Sequence, residues 1–196
     1  MIDANGLKTV PAAREPTTSA EHRARDWWRH TISDAEGDRS VRAQLRRCTT
    51  PLDAACVPAA IGLARLLGRI PDAGAPAWKQ KAFERALSLA IVLSHVRSDN
   101  GINLLRMLGW GQFPYEAKEA DAGEGRPILS ELRFKRLLQT EGEEELVRTF
   151  ARLIALAGHA TDVADLARVF LHWDEDRTKR DLALTYFRAN SLGLDT

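Results

Sequence analysis

Cysteine is scarce in this sequence: two of the 196 residues are cysteines, and neither belongs to a recognisable motif. Cys48 and Cys56 lie eight residues apart, with no Cys-x-x-Cys pair and no histidine at metal-ligand spacing. This pattern argues against a disulfide framework and against a structural zinc site. We expect both cysteines to be small, buried apolar side chains in a protein from a reducing compartment.

Catalytic motifs are also missing. The five histidines are scattered, no two of them stand at i and i+4, and no His-Glu-x-x-His occurs. There is no Gly-x-x-x-x-Gly-Lys-Ser/Thr loop and no Gly-x-Ser-x-Gly turn. The acidic run Asp174-Glu175-Asp176 is better explained as negative charge at the start of a helix than as a metal site. We therefore predict no catalytic residue, no metal and no cofactor, so that the protein is not an enzyme.

Long hydrophobic runs and alternating patterns are absent too. The most apolar stretch, Ala86 to Val96, is about half the length that spans a bilayer, and no basic-then-apolar leader opens the chain. We expect a soluble, cytoplasmic protein without membrane contact. No segment alternates apolar and polar residues with period two. The fold class predicted is all-α, a compact single-domain bundle of about eight helices.

Local signals divide the chain into a tail and a helical domain. Residues 1–17 are small and polar, which predicts a flexible N-terminal tail before a domain at 18–196. Capping-box patterns at Thr18-x-x-Glu21 and Thr140-x-x-Glu143 predict two helix starts. A helix from about Ala77 to Arg97 is apolar over most of its circumference and should be central. The segment Gly109–Pro127 is rich in glycine and acidic residues, and is expected to be a long surface loop.

Arginine is abundant and is concentrated in segments, although the net charge is only +1. Residues 39–47 carry four arginines and no acid. On a helix, Arg39, Arg42 and Arg46 fall on one face and Arg47 lies at its flank. Val41, Leu45 and Cys48 fall on the opposite face. This spacing predicts a helix that is anchored by its apolar side and presents guanidinium groups to solvent.

A second segment, 130–138, repeats the scheme. Phe134, Leu137 and Leu138 form the apolar stripe, Lys135 and Arg136 point away from it, and Arg133 borders it. Ser130 is expected to cap this helix.

Further basic positions lie on the solvent faces of other predicted helices. They are Lys81 and Arg85 on the central helix, Arg148 and Arg152 on the helix after residue 140, and Arg177, Arg180 and Arg188 on the last helix. Basic residues like these also occur on ordinary solvated surfaces. A GC-rich genome, which raises the arginine content of its proteins, is another explanation. Because five helices carry a basic face, we favour a footprint for a phosphate backbone over chance. Such contact would be independent of base sequence and sensitive to salt.

Two other functions remain open. Trp27 and Trp28 fit the apolar face of the first helix, whereas Trp110 and Phe113 in the glycine-rich loop are candidates for exposed stacking or partner contact. A helical adaptor that binds only protein through this loop is the main alternative. A small helical enzyme with a site built from His95 and distant carboxylates ranks far below both.

Several motifs resemble the CasB family, the small subunit of Cascade, the type I-E CRISPR surveillance complex. They occur in the family's order, from residue 20 to about 190, and the 130–138 string is the most specific. They are Trp27-Trp28, Arg42-Ala-Gln-Leu-Arg-Arg-Cys48, Ser130-Glu-Leu-Arg-Phe-Lys-Arg-Leu-Leu138, Leu166-Ala-x-x-x-x-x-Trp173 and Tyr186-Phe187.

The resemblance implies a non-catalytic helical subunit, present in two copies, that contacts crRNA and target DNA, stabilises the R-loop and helps to hold the displaced strand. Its partners would be crRNA, target DNA, other Cascade subunits and a second copy of itself. By position Arg46, Arg47, Arg133 and Arg136 match the family's basic motifs. Looser matches are Lys81, Arg152, Arg177 and Arg180. With Arg42 these residues are the expected nucleic-acid contacts of the domain at 18–196. The proline-rich tail and the acidic Gly109–Pro127 loop depart from the family pattern.

Overall fold

The computed structural model describes residues 19–110 and 127–191, in which ten helices and one pair of two-residue strands are found. In chain order they are α1 (Ala20–Thr31), α2 (Arg39–Arg47), α3 (Pro51–Ala55), α4 (Pro58–Leu66), α5 (Ala77–Ser94), β1 (Ser98–Asp99), α6 (Leu104–Trp110), α7 (Glu131–Leu138), α8 (Glu143–Leu156), β2 (Ala160–Thr161), α9 (Val163–Leu171) and α10 (Asp176–Ser191). The all-α prediction is confirmed. The predicted tail and most of the Gly109–Pro127 loop lie outside the described residues.

Helix α5 forms the centre of the bundle, as its sequence predicts. Every residue from Arg85 to Ser94 is buried, because α2, α3, α4, α8 and α9 all pack against this helix. A helix that is apolar around its circumference is stable only when neighbours cover all of its sides. The apolar faces of the surrounding helices therefore share one core, which includes Trp27 and Trp28 of α1. Their predicted role as core residues is confirmed.

Aromatic side chains attach α7 to α10. The rings of Phe134 and Tyr186 stack with centroids 4.1 Å apart, and the Tyr186 hydroxyl donates a 2.6 Å hydrogen bond to the Leu129 carbonyl. Burial raises the pKa of Tyr186, with a smaller contribution from Glu131. Phe134 and Leu137 are buried and Leu138 is half-buried, so the apolar stripe predicted for this helix faces inward.

A tight turn links α1 to α2. The Ser33 side chain accepts a hydrogen bond from the backbone N–H of Glu36, and Asp38 caps α2 by accepting one from Ser40 N–H at 2.7 Å. A Cβ at Gly37 would lie 2.4 Å from the Ser33 backbone nitrogen. Only glycine fits there without a backbone shift, so the turn defines where α2 begins.

Some local expectations were wrong. The capping box predicted at Thr140 does not form, because α8 begins after Gly142, whose φ of 78° favours glycine. The other predicted box includes Thr18, which lies outside the described residues; the N-cap of α1 is Ser19, whose side chain makes no cap bond. A capping box that we did not predict joins Thr50 and Asp53 and begins α3. The N-cap of α7 is Ser130, but its side chain makes no cap bond.

The cysteines and the strand pair also differ from expectation. Cys56 is exposed and Cys48 is half-buried, so the prediction that both are buried was wrong. Strands β1 and β2 are parallel, pairing Ser98 with Ala160 and Asp99 with Thr161, and are too short for alternation to reveal. Among the described helices, none combines the length and apolarity needed to cross a membrane.

Candidate nucleic-acid interface

Arg46 and Arg47 form an exposed basic pair at the end of α2. Both side chains are exposed, and neither makes a hydrogen bond or an ion pair with any other described residue. Leu45 beside them is fully buried and anchors the helix against the core. The prediction that α2 presents Arg46 outward from a packed face is therefore confirmed, and both guanidinium groups can accept an external anion.

Arg42 does not point to solvent as predicted. Its side chain is only 8% exposed and forms an ion pair with Asp34, while its Nε donates a 3.0 Å hydrogen bond to the Ser94 carbonyl. Burial lowers the pKa of Arg42; Asp34 opposes this effect, while Arg46 and Arg97 add to it. The outward placement was wrong because α2 leans on the C-terminal end of α5, so that this position of the helix faces its neighbour.

Helix α7 presents a second exposed basic pair. Arg133 and Arg136 are exposed and, like Arg46 and Arg47, make no hydrogen bond or ion pair through their side chains within the described part of the chain. Phe134 lies between them in sequence and is 1% exposed. The helix is thus fixed from its inner side while the guanidinium groups of its outer side remain available.

The basic pair of α5 is neutralised. Arg85 is buried, and its Nε lies 2.7 Å from Glu143 Oε1; its remaining N–H groups bond the Phe170 carbonyl and Asp174. The prediction that Arg85 faces solvent was wrong. Lys81 is exposed, but its Nζ lies 2.8 Å from Asp174 Oδ2.

The pKa of Asp174 reflects its ion pairs with Lys81 and Arg85. Burial alone would raise it, but the hydrogen bond from Lys81 and the charges of Arg85 and Lys81 outweigh burial and lower it. Lys81 and Arg85 are therefore held by carboxylates of this chain.

The remaining sequence candidates are exposed and lie on other helices. Arg152 and Arg180 make no ion pair with any described residue, while Arg177 lies 3.9 Å from Asp181. Arg148, which lies one helical turn before Arg152, forms an ion pair with Glu145. The side chain of Arg188 lies outside the described residues. These positions can supply positive charge, but the structure does not gather them into one pocket.

Arg97 is a basic residue that the sequence reasoning missed. It is exposed just after α5 and lines one cleft together with Arg39, Arg42 and Arg46. No helical periodicity could reveal it, because it lies outside a helix and joins the α2 arginines only through the packing of α2 on α5.

His95 is half-buried near two arginines and a second histidine. Its pKa is lowered to about 4, first by burial and then by Arg46, His159 and Arg42. None of these groups is a carboxylate. Over the ranges 19–110 and 127–191, no group of three or more His, Cys, Asp or Glu side chains could hold a metal ion.

The fold and charges define a helical protein with two exposed arginine pairs on separate helices. The sequence matches the family model of CRISPR-associated protein Cse2 over residues 41–187. The chain therefore belongs to the Cse2 family, which is the CasB family that its motifs resemble.

A solved structure supports the same fold. The chain is similar to one chain of E. coli Cascade in a crystal structure with a PAM-containing double-stranded DNA target, with a TM-score of 0.55 and 21% sequence identity. The match covers 87% of this chain and 95% of that chain. No curated protein matches the sequence.

Proposed function

We propose that this protein is a non-catalytic small subunit of a crRNA-guided Cascade complex in the cytoplasm, where it contacts the backbones of crRNA and target DNA and stabilises the R-loop. Its membership of the Cse2 family supports the place in the complex. The observation that carries the nucleic-acid role is the exposure of Arg46, Arg47, Arg133 and Arg136, without any carboxylate partner among the described residues.

The physical basis is modest but sufficient. Exchanging a DNA duplex for an RNA–DNA heteroduplex is close to balanced in free energy, so a few contacts to the displaced strand can shift the equilibrium. Arginine is suited to this task because its planar fork matches two phosphate oxygens. Contacts from these arginines to backbone phosphates do not depend on the bases, so they would hold a strand of any sequence.

The proposed contacts form two groups. Direct contact is assigned to the α2 and α7 pairs, with Arg152, Arg177 and Arg180 adding charge. Lys81 is paired with Asp174, so no contact with nucleic acid is assigned to it, and Arg42, which is buried, acts less directly. The other partners proposed are neighbouring Cascade subunits and a second copy of this chain.

The test uses the assembled complex and measures the lifetime of the R-loop on a matched target. We expect Arg46→Ala/Arg47→Ala and Arg133→Ala/Arg136→Ala each to shorten it about tenfold at moderate salt, as expected for lost charge-assisted contacts. The charge-matched control is Lys81→Ala/Arg148→Ala, which removes two cations that already have carboxylate partners. Its lifetime should stay within about twofold of the wild type. Unchanged lifetimes for both arginine pairs in complexes that assemble normally would favour the adaptor that binds only protein.

A further inference from the structure

An open cleft of about 470 Å³ lies between the turn after α1, the face of α2 and the segment after α5. It is lined by Asp34, Arg39, Arg42, Ala43, Arg46 and Arg97. Four of these six residues are arginines and one is an acid. Such a lining favours an anionic ligand, and it arises from two segments that are more than fifty residues apart in sequence.

Arg42 is a buried residue in the lining of this cleft and has an unsatisfied donor. Its residue exposure is 7%, and both Nε and Nη1 are bonded, to the Ser94 carbonyl and to Asp34. Nη2 is buried and has no hydrogen-bond partner among the described residues. Leaving a buried charged donor unsatisfied is unfavourable, and negative charge held in the cleft beside Arg42 would offset part of this cost.

The charges around Arg42 point the same way. Arg46 and Arg97 are close enough to lower its pKa, and only Asp34 acts in the opposite direction. Arg39, Arg46 and Arg97 are exposed at the rim and make no side-chain hydrogen bond or ion pair in the described part of the chain. One carboxylate therefore faces four guanidinium groups, and a bound anion would relieve their mutual repulsion.

We infer that this cleft is a discrete binding site for one backbone phosphate of a nucleic-acid strand. Arg39, Arg46 and Arg97 at its rim bind the phosphate oxygens, and Arg42 supports them from below while Asp34 and Ser94 hold it in place. The inference rests on the proposed function and deepens it, because it turns a diffuse basic face into a site with a defined occupant. Inorganic phosphate carries the same oxyanion chemistry, so the test must separate the two sources.

The experiment uses the full chain and a fluorescently labelled single-stranded DNA oligonucleotide. The test variant is Arg39→Ala/Arg97→Ala, which spares the pairs invoked in the proposed function. The matched control is Arg29→Ala/Arg65→Ala, two exposed arginines that do not line the cleft. We expect the test variant to raise the Kd about tenfold and to reduce the slope of log Kd against log salt by about 0.7, the value for one phosphate on a single strand. The control should stay within about twofold.

Thermal unfolding with inorganic phosphate provides the second arm. A rise in Tm for the wild type that Arg39→Ala/Arg97→Ala abolishes, together with weaker oligonucleotide binding, supports the site. The same Tm result with unchanged oligonucleotide affinity would mean that the cleft binds only a free anion. Equal losses of oligonucleotide affinity in the test variant and the control would mean that the DNA is attracted by diffuse positive charge. Either result overturns the inference.

The inference can also fail separately from the proposed function. If Arg46→Ala/Arg47→Ala and Arg133→Ala/Arg136→Ala weaken binding but Arg39→Ala/Arg97→Ala does not, the inference fails and the proposed function stands. If the wild type binds no nucleic acid, alone or in the assembled complex, both fail.

Discussion

The end of α2 and the middle of α5 both carry two basic residues, but the structure treats them in opposite ways. Arg46 and Arg47 are exposed and have no partner among the described residues. Lys81 and Arg85 are both bound to Asp174, and Arg85 is also bound to Glu143. A basic pair at helical spacing therefore does not by itself indicate a binding surface. Its availability depends on whether folding brings an acid to it from elsewhere in the chain.

This difference assigns different roles to the two regions. The α2 pair belongs to the surface and can exchange counterions for an external phosphate. Arg85 instead joins the central helix to the first residue of α8 and to Asp174, which precedes α10. Its main contribution is to hold these elements together, and any favourable contact with nucleic acid would first have to break these bonds.

The largest effect expected from the contrast between the α2 pair and Arg85 is on the free energy of unfolding. Arg85→Ala should lower the free energy of unfolding by about 3–5 kcal/mol, because it leaves the Glu143 carboxylate, whose side chain is only 13% exposed, without its counter-charge. Urea denaturation followed by circular dichroism measures this directly.

Lys81→Ala is the matched control, since Lys81 pairs with the same Asp174 at an exposed position. Its expected loss is below about 1 kcal/mol. Similar small losses for both variants would show that Arg85 does not link these elements.

The second effect is a pH dependence caused by the burial of His95 and, to a smaller extent, by the positive charges near it. Because its pKa is lowered to about 4 in the folded protein, His95 stays neutral there at a pH at which the unfolded chain already binds a proton. Its contribution to stability is complete above the unfolded pKa of about 6.5 and is lost as the pH falls towards 4.

Between pH 8 and pH 5 this loss should be about 2 kcal/mol. Measurement of the free energy of unfolding at both pH values should show a smaller decrease in His95→Gln than in the wild type. An identical decrease in the two proteins would mean that neither burial nor the nearby positive charges lower the pKa of His95 in the folded protein.

The smallest effect concerns the acid in the arginine cleft. Asp34→Asn removes the carboxylate that offsets the four guanidinium groups, so single-stranded DNA should bind about two- to fivefold more tightly at low salt. Fluorescence anisotropy measures the change, with circular dichroism to show that the variant is folded. Weaker binding by a folded variant would mean that Asp34 is needed to hold Arg42 in its binding position.

Much of the fold could be predicted because the spacing of apolar residues along a helix indicates which of its faces is buried. The central position of α5, the inward face of α7 and the buried tryptophans of α1 all follow from the spacing of apolar residues. Helix ends were less predictable. At Thr140 a capping pattern was present, but the left-handed Gly142 starts the helix two residues later. The short helix α3 was not predicted; its Pro51 lies in the first turn, where proline is favoured.

The site was predicted only in part, for a related reason. Helical spacing placed Arg46 and Arg136 correctly on outer faces, because this inference needs only the geometry of one helix. Arg133, which was expected to border the apolar stripe of α7, is exposed as well. Helical spacing failed for Arg42 and Arg85, whose surroundings come from residues 34, 94, 143 and 174. It also could not reveal Arg97, which lies outside any helix. Contacts between segments that are distant in sequence are determined by packing, and a single sequence does not record them.

The proposed function requires that unpaired arginines, and not cations in general, bind the nucleic-acid backbone. The salt dependence of single-stranded DNA binding tests it most directly, by comparing Arg46→Ala/Arg47→Ala with the charge-matched Lys81→Ala/Arg148→Ala. We expect the slope of log Kd against log salt to fall by about 1.4 in the first variant, for two lost phosphate contacts, and to stay at the wild-type value in the second. Equal changes in the two variants, or no change in the first, would contradict the account.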